Sequence, residues 1–89
     1  MATLAATVKI MPSSVEVNME ELSKKSSEII SKSGKVLKLE IVPFAFGLKQ
    51  LLIQIILKEG VANPEAIEKE ILNLSDVNSA ELLNIRKID

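Results

Sequence analysis

The chain has 89 residues, 47% of them hydrophobic, with 12 acidic against 11 basic side chains and a formal net charge of −1. It contains no Cys and no His, which excludes a disulfide framework, a cysteine metal site and the commonest general base. The near-neutral balance argues against direct nucleic-acid binding, because phosphate-backbone binders carry a strong basic excess.

Six elements are predicted, in the order strand, helix, strand, strand, helix, strand. Leu4, Ala6, Val8 and Ile10 alternate with Ala5, Thr7 and Lys9 as in a strand, until Pro12-Ser13-Ser14 breaks the pattern. Asn18 suits the N-cap of a first helix, with Glu21 at N3 to bond back and Val17 and Leu22 at staple positions. Met19, Leu22, Ser26, Ile29 and Ile30 share one helical face, and Gly34 is placed to end the helix in a left-handed conformation. Leu37, Leu39 and Ile41 alternate with Lys38 and Glu40 as a strand with one wet face; Pro43 ends it and Gly47 lets the chain reverse. The third strand, about 48–58, is apolar at nearly every position and should be central and covered. Asn63-Pro64-Glu65 gives the second helix an N-cap, a proline at N1 and an acid in its first turn; Ala66, Ile67, Ile71 and Leu74 should form its buried stripe. Val77, Ala80, Leu82, Leu83 and Ile85 read as the last strand.

A chain this short is one domain, 1–89, which must pack efficiently because it buries only about 60–65% of its unfolded surface. With 2% aromatic residues, its core is built from Ile, Leu and Val. The element order fits an α+β fold: a ferredoxin-like βαββαβ sandwich, its four-stranded antiparallel sheet covered on one face by both helices. Ala5, Thr7, Lys38, Glu40, Leu52, Gln54 and Ile56 are candidates for the open face. Scattered exposed aliphatics and a contact surface both fit that mixture. The topology puts the hairpin tip near Phe44–Gly47 at one sheet end and Arg86-Lys87-Ile88-Asp89 at the other, about 25 Å away for strands of seven or eight residues.

The densest apolar run, 51–57, is too short to cross a membrane, and the N-terminus has no signal-peptide pattern; a cytoplasmic protein is expected. The glycines, Gly34, Gly47 and Gly60, are isolated and form no phosphate cradle. Arg86 is the sole arginine, and the loop after the first strand offers no acylphosphatase-type cradle. Both aromatics, Phe44 and Phe46, sit at the hairpin and not on central strands where RNA bases stack. They admit two readings: one capping the core and one lying against the sheet end, or an exposed ring entering a partner pocket. Lys87, near the chain end, would ordinarily be an inert solvated lysine.

Pro43-x-Ala45-Phe46-Gly47-Leu48-Lys49, followed by the apolar strand, resembles the hairpin of the elongation factor 1-beta exchange-domain family. Val8-Lys9-Ile10-Met11-Pro12 and the acidic second helix resemble the archaeal members. Arg86-Lys87-Ile88 resembles the family's ending, a lysine before a final hydrophobic residue. Two departures stand out: Phe44 replaces a smaller aliphatic, and Asp89 extends past that hydrophobic residue, placing a carboxylate near Lys87. The resemblance implies a nucleotide exchange factor, not an enzyme and without a cofactor, that releases GDP from the GTPase elongation factor 1-alpha. On that resemblance Lys87 would intrude on the partner's magnesium site and Phe46 would dock in a partner pocket. Phe44, Gly47, Lys49, Arg86 and Ile88 would contribute to the contact. Lacking the upstream assembly domains of eukaryotic relatives, the chain should act alone, as a monomer. A ferredoxin-like small-molecule-sensing or assembly module using the open sheet face is the competing expectation.

Overall fold

The computed structural model describes residues 3–32, 34–58 and 63–88. In chain order they form β1 (Thr3–Pro12), α1 (Met19–Ser31), β2 (Gly34–Pro43), β3 (Lys49–Lys58), α2 (Pro64–Leu72) and β4 (Val77–Lys87). The sheet order is β2-β3-β1-β4 with every neighbouring pair antiparallel, a ferredoxin-like α+β fold.

Both helices begin where their caps dictate. Asn18 Oδ1 accepts from the N–H groups of Glu20 (3.0 Å) and Glu21 (3.2 Å), satisfying donors that the helix itself leaves unpaired. The return bond from the Glu21 carboxylate is not formed, so only the forward half of the expected box exists. Asn63 Oδ1 accepts from Glu65 N–H at 3.0 Å, with Pro64 in the first turn. Gly34 serves the sheet instead of ending α1. It opens β2 opposite Leu57, and a Cβ there would lie 2.5 Å from the Ile56 carbonyl oxygen, so only glycine fits.

The core lies between the helices and one sheet face: Ala6, Val8 and Ile10 of β1, Leu51, Ile53, Ile55 and Leu57 of β3, Leu22 and Ile30 of α1, and Ile67 and Ile71 of α2. The expected α1 face holds, with Met19 and Ile29 packed at its margin. Along α2, Ile67 and Ile71 are buried and Leu74 packs beside them, but Ala66 is exposed. One residue turns a helix by about 100°, so a helix seated on an i, i+4 pair carries the preceding residue away from the sheet.

Two expectations about the sheet need correction. In β2 the register passes from Val36↔Ile55 to Lys38↔Gln54, leaving Leu37 as an extra residue. This bulge shifts the alternation, so Val36 and Leu39 pack on the core while Leu37 is 55% exposed; Ile41 stays on the core side, opposite Leu51, but is exposed near the end of the strand. The apolar β3 is central, as expected, but only its Leu51, Ile53, Ile55 and Leu57 side is fully covered; Leu52 and Ile56 are half-buried on the other. The strand register places all seven candidates for the open face together there.

The strands run 10 or 11 residues, longer than anticipated. Leu57 pairs with Leu4, and Leu4 with Lys87, whereas Leu48 stands at the hairpin. Nine residues of strand separate the two ends by about 30 Å, and the longest dimension of the molecule is 41 Å.

Candidate functional site

At one end, the β2–β3 hairpin closes beyond its last ladder pair, Pro43↔Lys49. Phe44 N–H donates to the Leu48 carbonyl (2.8 Å) and Leu48 N–H to the Ala45 carbonyl (3.1 Å). The central turn residues, Phe46 and Gly47, have φ of 58° and 78°. Two positive φ values at these positions are the mark of a type I′ turn, which favours Asn-Gly because both tolerate the left-handed region. A phenylalanine held there is strained by about 1–3 kcal/mol. Its side chain is nevertheless 96% exposed, so no packing among the described residues compensates for that strain.

Phe44 is 55% exposed, with Lys9 Nζ over its ring at 6.0 Å from the centroid, at the outer limit of a cation–π contact. Neither phenylalanine enters the core, which overturns the core-capping reading.

A groove of about 410 Å³ lies beside the hairpin, its lining including Val15, Val17, Met19, Ile41, Gly47 and Lys49. Val15 and Ile41 are exposed aliphatics that sequence reasoning did not single out for this end. Val15 belongs to no periodic stripe, and that isolation was the one available signal.

At the far end, β4 departs from regular pairing. Thr7 pairs with Leu83 and Ala5 with Arg86, so Asn84 and Ile85 together oppose Ala6. Asn84 is left-handed, φ 55°. Arg86, Lys87 and Ile88 are exposed, and Ile88 N–H donates to the Thr3 carbonyl at 2.9 Å, fixing the end of the chain to β1. Asp89, expected beside Lys87, lies outside the described residues. Thus the hairpin residues Phe44, Phe46, Gly47 and Lys49 gather at one end and Arg86, Lys87 and Ile88 at the other.

Between them, Ala5, Thr7, Leu37, Gln54, Ile85 and Arg86 contribute to a groove of about 510 Å³ across the open face. On the same face Lys38 Nζ meets Glu40 Oε1 at 2.7 Å. That hydrogen bond, with the attraction of the carboxylate, raises the lysine above its ordinary range. Among the described residues no group of three or more acidic, His or Cys side chains is placed to hold a metal ion. No described helix is long and apolar enough to cross a membrane.

The sequence model of a family described as the EF-1 guanine nucleotide exchange domain matches residues 5–88. Curated relatives named elongation factor 1-beta align along nearly the whole chain. The protein of Methanothermobacter thermautotrophicus is 30% identical over 88 residues, 99% of each chain. That of Methanocaldococcus jannaschii is 36% identical over 86 residues, 96% of this chain and 97% of its own. That of Nanoarchaeum equitans is 36% identical over 76 residues, 85% and 94% respectively. A hairpin that displays Phe46, a cationic strand end about 30 Å away and this end-to-end match lead to one conclusion: the chain belongs to the EF-1 guanine nucleotide exchange domain family, with a nucleotide-exchange role in translation elongation.

Proposed function

We propose that the chain accelerates GDP release from elongation factor 1-alpha by gripping it at the hairpin and presenting Lys87 to its magnesium and phosphate site. The observation that carries this reading is Phe46: an almost fully exposed ring, kept in a strained backbone conformation, is the arrangement of a side chain held out for a partner. Covering such a ring contributes about 1.5–3 kcal/mol. The groove lined by Val15 and Ile41 extends the apolar contact beside it.

The exchange step needs no bond-making by this protein. GDP on a GTPase is held through Mg²⁺ and the groups around its phosphates. An ammonium brought to that site repels the metal and competes for its oxygen ligands, which weakens nucleotide binding. Coupling is reciprocal, so GTP with Mg²⁺ weakens the grip of the factor by the same ratio and completes the cycle. On this reading the factor is a cytoplasmic, non-enzymatic monomer acting from a single domain, without direct nucleic-acid contact. On this reading anchor and charge reach separate parts of the partner, and the ~30 Å between Leu48 and Leu57 suits such bridging.

The direct experiment loads elongation factor 1-alpha with fluorescent GDP and follows its release with and without the protein. Acceleration supports the proposal; an unchanged rate sinks it. The open-face groove favours a second reading, a small-molecule-sensing or assembly module. Micromolar self-association together with no effect on GDP release would select that alternative.

A further inference from the structure

The bulge in β4 has a consequence for Lys87. Ala5 faces the open side of the sheet, whereas Leu4 packs at the margin of the core on the helix side. Had β4 continued regularly after Thr7↔Leu83, Ile85 would stand opposite Ala5, Arg86 opposite Leu4 and Lys87 opposite Thr3. The extra residue instead sets Arg86 opposite Ala5 and Lys87 opposite Leu4. Strand faces alternate residue by residue, so this single insertion exchanges the faces of the two cations. Asn84 makes the insertion at φ 55°, and asparagine is among the few residues besides glycine that tolerate the left-handed region.

We propose that Asn84 is a positioning residue for exchange, whose left-handed bulge keeps Lys87 on the helix side of the sheet and Arg86 on the open side. The proposal rests on the reading of Lys87 given above. Losing the bulge while keeping the chain length would swap them, presenting a planar guanidinium fork where a compact ammonium belongs. Asn84 acts through the backbone, three residues from Lys87, and need not touch the partner.

The test compares Asn84→Val, Asn84→Gly and deletion of Asn84, each assayed for GDP release and for affinity to elongation factor 1-alpha. NMR cross-strand contacts of Lys87 with Leu4 or Thr3 report its face. Valine resists the left-handed conformation, so Asn84→Val should slow release about tenfold or more and move Lys87 toward Thr3. Glycine retains the bulge and should stay within about twofold of the wild-type rate. Deletion removes the extra residue yet restores Arg86↔Ala5 and Lys87↔Leu4, so the shorter chain should outperform the valine variant. Affinity, set mainly at the hairpin, should change little in all three. Wild-type release by Asn84→Val, or equal loss of release and affinity by the valine and deletion variants, overturns the proposal. Lys87→Ala is the control: if it exchanges normally, the role of Lys87 itself is refuted, irrespective of Asn84.

Discussion

Each end of the molecule contains a left-handed residue that is not glycine, and the two use that conformation differently. Phe46 is a bulky side chain in a turn that prefers Asn-Gly, so the fold tolerates a local cost to display a ring. Asn84 suits its conformation, and its effect is to change which downstream side chain faces which way. On the proposed reading, the hairpin holds strain for association, while the β4 end uses a low-cost register change for aim. Substitutions at the two ends should separate binding from exchange.

The largest effect is expected at the β4 end. Lys87→Ala should slow stimulated GDP release about tenfold or more, as expected for losing a charge-assisted contact of about 1.5–3 kcal/mol, with affinity nearly retained. Stopped-flow release alongside calorimetric titration checks this; a matched loss of affinity would erase the division between the two ends.

Next comes the anchor. Phe46→Ala should weaken association by about 1.5–3 kcal/mol, and Phe44→Ala by less, since the Phe44 ring is already about half covered within the chain. A larger loss from Phe44→Ala would transfer the anchor role to that residue.

The strain itself is tested by Phe46→Asn, which places the preferred residue before Gly47. It should raise stability by about 1 kcal/mol and the melting temperature by about 4–8 °C, while weakening association as alanine does. If stability does not rise, Phe46 is not strained and the contrast with Asn84 fails.

The smallest effect is expected away from both ends. Ser26 on α1 is fully buried and its Oγ has no hydrogen-bond partner among the described residues. Ser26→Ala should therefore raise stability by up to about 1 kcal/mol in urea unfolding, leaving release and affinity unchanged. A change in exchange would mean that the interior communicates with the ends.

Much of this was legible in the sequence because the deciding interactions are local. Asn18 and Asn63 cap the residues that follow them, period-2 patterning marked β1, and the alternation of element types restricted the topology to a ferredoxin-like sandwich. The separation of hairpin and C-terminal cations followed from strand direction alone. The family resemblance on Pro43–Lys49 agrees with the match over residues 5–88.

What the sequence left undetermined depends on neighbouring strands. Whether Leu37 faced the core turned on an extra residue in β2, and a bulge is defined only against its partner. Likewise the faces of Arg86 and Lys87 follow from the pairing of β4 with Ala5 and Leu4, not from any pattern within 77–87. The exposure of Phe46 required knowing that the turn at Ala45–Leu48 closes with both central residues left-handed. Composition and local propensity thus determined the elements and their order. Register, a property of two chain segments at once, decided which faces the candidate side chains occupy.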